Sequence, residues 1–74
     1  VSRDLEDQIL EAHAQHDQMS LVTLYQKAGR IAEQDGDIDA ACFFWTHAYV
    51  FALEQAHPAR DDLHARLVTY GRET

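Results

Sequence analysis

The stretch Asp37–His57, DIDAACFFWTHAYVFALEQAH, contains neither Gly nor Pro and follows directly on Gly36. It carries Phe43, Phe44, Trp45, Tyr49 and Phe51, most of the chain's aromatic mass. On a 3.6-residue wheel, Ile38, Ala41, Trp45, Ala48 and Ala52 fall on one side. Cys42, Tyr49, Leu53 and Ala56 lie beside them, and Phe44 and Phe51 widen the arc on the other flank. A helix with so broad an apolar arc needs cover from more than one direction, so the spacing predicts a central helix. A strand does not fit: the run is too long, and its small Ala residues recur at helical spacing instead of alternating.

The polar remainder of that helix is a narrow strip: Asp39, Phe43, Thr46, His47, Val50 and Glu54. Phe43 and Val50 are out of place in it. Seven residues apart, they stack two turns along the outside. Either another helix of the chain covers them, or they form an exposed patch of the kind that marks an interaction site when it is large.

The flanking segments read as three smaller amphipathic helices, about residues 2–15, 18–34 and 59–70, around the central one at 37–57. In the first, Leu5, Ile9 and Ala12 line one face and Leu10 stands off the stripe, while Asp4, Glu6 and Asp7 suit the positive helix end. Asp17 is a plausible N-cap for the second, with Ser20 a rival, and its stripe is Leu21, Leu24, Tyr25, Ala28, Ile31 and Ala32. Gly29 in mid-helix costs about 1 kcal/mol relative to Ala, which points to the close approach of another helix backbone. Gly36 suits the left-handed C-terminal position and Asp37 the next N-cap. Pro58 breaks the central helix and suits the start of the last. There Ala59, Leu63, Leu67 and Tyr70 form the stripe, Val68 lies to one side, and Gly71 is the stop. The connections are short, so successive helices should run antiparallel. The expectation is one all-α, four-helix domain.

Composition narrows the function. At 74 residues one domain is the ceiling, and a chain this size is marginally stable alone. The net charge of −7 and the scattered Arg3, Lys27, Arg30, Arg60, Arg66 and Arg72 argue against nucleic acid and against a polybasic membrane anchor. No apolar run is long enough to span a bilayer, and VSRDLEDQIL does not read as a signal peptide. The single cysteine, Cys42, sits on an apolar flank as a small hydrophobe, a usage that suits a reducing compartment and a cytoplasmic location.

Five histidines raise the question of a metal. Glu54 and His57 have the i, i+3 spacing of carboxylate-bridged di-metal bundles, but such sites need a second motif and two further Glu residues. Asp61 and His64 start the next helix, and His13, His16 and Asp17 form only a loose set. Cys42 and His47 are five apart, on different faces of one helix, and Ser2 and Ser20 stand at helix starts where capping explains them. No bound metal, no cofactor and no catalysis is expected.

Residues 25–48 also carry a family pattern. Tetratricopeptide repeats follow W-x2-L-G-x2-Y, a turn, A-x3-F and a late Pro. Here Tyr25-x2-Ala28-Gly29-x2-Ala32 is followed by Gly36-Asp37-Ile38 and then by Ala41-x3-Trp45-x2-Ala48. The segment, about residues 22–55, resembles one tetratricopeptide repeat. Ala28 and Ala32 replace the usual Leu and Tyr, Leu53 stands where the Pro is expected, and one period outward there is no second copy. The resemblance implies a tetratricopeptide-like bundle that binds proteins or peptides and is not a catalyst. The expected binding residues are Phe43, His47, Val50, Phe51 and Glu54, and the expected partner is another protein or a second copy of the chain. A histidine-based metal or pH sensor and a fragment of a longer helical repeat protein are the alternatives.

Overall fold

The structure, a computed structural model, describes residues 3–73. The expected helix start and cap at Ser2 lie outside them. Four helices follow one another: α1 (Arg3–Ala14), α2 (Gln18–Gln34), α3 (Ile38–Glu54) and α4 (Arg60–Thr69). Among the described residues there is no strand. The protein is an antiparallel, all-α assembly of four helices with α3 its most apolar member.

Three of the turns are nearly copies of one another. His16, Gly36 and Ala56 all take positive φ, at a constant interval of 20 residues. In each, the next amide donates back to the carbonyl five positions earlier: Asp17 to Ala12 at 2.9 Å, Asp37 to Ala32 at 2.9 Å and His57 to Ala52 at 2.8 Å. These are Schellman closures. At the first two turns the residue that follows then caps the next helix. Asp17 accepts from the Ser20 amide at 3.2 Å and Asp37 from the Ala40 amide at 3.1 Å. At the third turn the His57 ring nitrogen Nδ1 accepts from the Ala59 amide at 3.0 Å instead. Ser20 is therefore the partner of the cap, not the cap itself. Gly71 closes α4 the same way, with Arg72 N–H to Leu67 O at 2.8 Å.

The closure at Ala56 corrects the expected length of α3. The helix ends at Glu54, and Ala56 at φ 50 turns the chain before His57. The same closure forms at His16 and Gly36 with no proline after it, and here Pro58 additionally disfavours helical geometry at His57. Pro58 then sits in a turn, and α4 begins two residues later without a side-chain cap.

Packing follows chain order. The α2–α3 contact is the most extensive, α1 lies against α2, and α4 lies against α3. Among the described residues α1 and α4 do not approach each other, and the array measures 32 × 28 × 13 Å, a thin slab. Side chains link alternate helices. His13 on α1 meets Phe51 on α3, with ring centroids 6.0 Å apart, and Tyr70 on α4 donates to Glu33 on α2 at 2.6 Å. So α1 and α3 share one face of the slab, and α2 and α4 the other.

The core sits where α2 meets α3, around Trp45, which is 1% exposed. Tyr70 stacks on Trp45 at 6.0 Å, and the Arg66 guanidinium lies 5.4 Å over its ring. Gly29 is opposite. A Cβ at Gly29 would collide with the indole atoms Nε1 and Cδ1 of Trp45. The close approach expected at Gly29 is thus made by a side chain, not by a helix backbone. Two other expectations are corrected by the packing direction. Val22 is fully buried while Leu24 and Ile31 are half-buried, because α2 turns that flank into α3. Leu53 is exposed, on the rim of an open cleft that it shares with Tyr49 of α3 and with Arg60, Asp61 and His64 of α4.

An apolar strip on α3 and the groove beside it

The sequence-predicted strip lies along the back of α3. Phe43 is 58% exposed and Val50 48% exposed. Neither is covered by the chain's own helices. Glu54 is exposed at the far end of the strip, while His47 and Phe51 are half-buried. From Phe43 to Glu54 the strip rises about 16 Å.

Its first half is organised by rings. Tyr25, reaching up from α2, is buried beneath four of them: His47 at 5.2 Å, His13 at 5.9 Å, Phe51 at 6.0 Å and Phe44 at 6.3 Å. Burial pushes the Tyr25 hydroxyl pKa above its ordinary value. That hydroxyl is 2.9 Å from His13 Nε2. His47 donates from Nδ1 to the Phe43 carbonyl at 2.9 Å, which fixes its ring, and the Phe43 ring packs on it at 4.5 Å. Phe43 also meets Phe44 edge-on at 5.7 Å. A large exposed ring is therefore held in one orientation, which lowers the entropy lost when something docks on it.

Phe43 and His47 form one wall of a groove of about 340 Å³ between α1 and α3, with Tyr25 as its floor. The other wall is Glu6, Ile9 and Leu10. Leu10 is 66% exposed, so two large apolar side chains face each other across the cleft. Sequence reasoning left Leu10 out of the binding set. Its signal was there: it stands off the α1 stripe and so had no core position to fill. Phe51 is placed differently from Phe43. It turns under the strip toward His13 and Tyr25, as a support more than a contact.

The remaining histidines have local roles. His57 accepts from the Ala59 amide in the turn before α4, His64 stands against Tyr49 at 5.8 Å, and His16 occupies a left-handed turn. Among the described residues no three His, Cys, Asp or Glu side chains converge as metal ligands. Cys42 is buried, while His47 lies on the outer side of the same helix, as the spacing required. Among the described residues no helix is long and apolar enough to cross a membrane. Neither the known protein families, nor characterised proteins, nor solved structures offer a match to this chain. The strip and groove therefore have to be read from their own geometry. They offer an apolar ridge, a shallow cleft beside it and a carboxylate at each end, Glu6 and Glu54.

Proposed function

We propose that this chain is a small, non-catalytic protein–protein interaction module of the cytoplasm, an adaptor or accessory subunit. It docks a partner's apolar helix or edge on the strip Phe43, His47, Val50, Phe51 and Glu54, with Leu10 as the opposite wall. The partner is another protein or a second copy of this chain, not nucleic acid or a membrane, and no cofactor or metal takes part. The observation that carries this reading is the exposure of Phe43 and Leu10 across one cleft, with Phe43 held by His47. Burying the free parts of Phe43 and Leu10 against a partner contributes about 1–2 kcal/mol each. The resemblance of residues 22–55 to a tetratricopeptide repeat points to the same class of job, and the Gly29–Trp45 contact is the small-against-large packing that such a resemblance calls for.

A second reading is favoured by one observation: the 20-residue cadence of the turns supports a stretch of a longer helical array. The two readings are compatible, since arrays bind through their faces.

The test is differential. Wild type and a Leu10→Glu/Phe43→Glu variant are compared for self-association by sedimentation and for captured proteins by cross-linking in cells. The variant should melt like wild type and lose its contacts. A monomeric wild type whose captured set is unchanged in the variant would rule out this surface.

A further inference from the structure

A second groove, larger than the first at about 890 Å³, runs along the opposite flank of α1, between α1 and α2. The chain's own cadence says what shape fits it. On α3, Ala48 and Ala52 are completely buried under α2, and Gln55 bonds Gln18 at the start of α2. Two helices earlier, at an interval of 40 residues, stand Gln8, Ala12 and Gln15 of α1. Those three residues line the open groove, opposite Thr23 and Leu24 of α2. The groove is therefore the earlier counterpart of the slot that α2 fills against α3. Its natural occupant is a helix.

The chemistry of the slot has changed between the two copies. Where α3 presents His47 and Phe51 to the Tyr25 ring, α1 presents Asp7 and Glu11. The floor remains apolar at Ala12, Leu24 and Met19. The third carboxylate on the rim, Asp17, is already engaged by the Ser20 amide and hydroxyl. Glu11 accepts from Gln15, His57 reaches the rim from the turn after α3 with its Nδ1 taken by the Ala59 amide, and among the described residues no Lys or Arg lines the groove. A helix seated there must put small or apolar residues on Ala12 and Met19. It must also hold a cation where α2 holds Tyr25.

We propose that the α1–α2 groove binds a cationic amphipathic helix of a partner protein, with Lys or Arg side chains on Asp7 and Glu11. This goes beyond the Phe43 strip, which lies on the other flank of α1, so either surface can fail without the other.

The probe is a synthetic 18-residue helix of Ala, Leu and Lys with Lys confined to one face, titrated into the full chain and followed by amide NMR. A dissociation constant under about 1 mM is expected, with shifts centred on Gln8, Ala12, Thr23 and Leu24. Asp7→Lys/Glu11→Lys should weaken binding about tenfold, as expected for two reversed rim charges. A charge-matched control, Asp35→Lys/Asp61→Lys, should not. The same peptide with Glu for Lys should not bind to wild type. Equal weakening by both variant pairs would reduce the effect to bulk charge and overturn the proposal. So would shifts centred on Phe43, no binding at 1 mM, or a wild-type dimer that the peptide dissociates, which would make a second copy the occupant.

Discussion

Gly29→Ala pits two effects of known sign against each other. Gly29 lies in the interior of α2, where Ala is worth about 1 kcal/mol in helix propensity. On propensity alone the substitution stabilises. The added Cβ, however, would land on the Trp45 indole. A clash with a side chain is cheap only when that side chain can swing aside. Trp45 is fully buried, Tyr70 stacks on it, and Arg66 sits over its ring while also paired with Asp62 at 3.1 Å. Moving the indole means moving α4. Overpacking of this kind costs about 1–3 kcal/mol, and the immobile ring argues for the upper end. The net expectation is a loss of about 2 kcal/mol.

For a chain of this size 2 kcal/mol lowers Tm by about 8–16 °C, an effect that thermal and urea melts followed by circular dichroism read directly. A double-mutant cycle assigns the cause. In a Trp45→Leu background, itself destabilised by the lost packing, the clash is gone. There Gly29→Ala should be neutral or stabilise by up to about 1 kcal/mol. If Gly29→Ala raises Tm in the wild-type background, the α2–α3 contact described here is wrong. If the loss persists unchanged with Leu at position 45, its cause is not the indole.

Ala56→Gly should stabilise by about 1 kcal/mol, because Ala56 holds a left-handed conformation that suits Gly; an unchanged urea midpoint would count against the third Schellman turn. Asp37→Ala should cost about 1 kcal/mol through loss of the α3 cap, while Asp39→Ala, which removes only an exposed contact to Arg72, should cost a few tenths. The Ser20 hydroxyl and amide hold the Asp17 carboxyl below its ordinary value of 3.8. A depressed pKa adds stability above the unfolded value and loses it as pH falls through the folded one. The stability gap between wild type and Ser20→Ala should therefore close on acidification from about pH 5 to about pH 2. Burial raises the Tyr25 pKa above 10.0, so its contribution is complete below that pH and is lost as pH rises through the folded value. Wild type should accordingly lose its advantage over Tyr25→Phe only in alkali, as paired melts across that range would record.

The parts of the fold that were legible in the sequence are those decided locally. Asp17, Gly36, Asp37 and Gly71 announce caps and stops through side-chain and backbone chemistry within four residues, and each does that work in the structure. The stripe Leu5, Ile9 and Ala12 and the stripe Leu63 and Leu67 are buried as their spacing requires. What was not legible depends on which neighbour lies on which flank. A wheel places Val22 and Leu24 on opposite flanks of the α2 stripe, and only the direction of α3 decides that Val22 is the one fully covered. Ala56 carries no preference for a left-handed turn, so the end of α3 is set by Pro58 and the turn's own hydrogen bonds. At the candidate site, Phe43 and Val50 were identified by their misplacement among polar residues. Leu10 gave the same signal on α1, and only the fold brings it opposite Phe43.

The cadence itself shows why one period was visible in the sequence and another was not. The sequence pattern of residues 25–48 that resembles a tetratricopeptide repeat falls within α2 and α3 and has no second copy at its own period. At an interval of 20, however, Leu5, Tyr25 and Trp45 are equivalent buried positions, as are Ala12, Ala32 and Ala52. The repeated quantity is volume, not identity. A small residue recurs near each helix end, where the next turn crosses, and a large one two turns earlier, where the neighbouring helix must be filled. Leu, Tyr and Trp satisfy the second requirement equally, so a search for repeated letters passes over them. The repeat fails at α4, which is shorter and places Ala65 at the fourth large position. Tyr70 and Arg66 supply the missing cover over Trp45 instead, and Glu33 ties both back to α2 through a bond of 2.6 Å to Tyr70 and a pair of 3.9 Å to Arg66. A row of helices that contact mainly their neighbours has no closed core to shield its faces. The side chains left over after neighbour packing are Leu10 and Glu6 on one flank of α1 and Asp7 and Glu11 on the other, and these are the groups on which the two proposed docking surfaces rest.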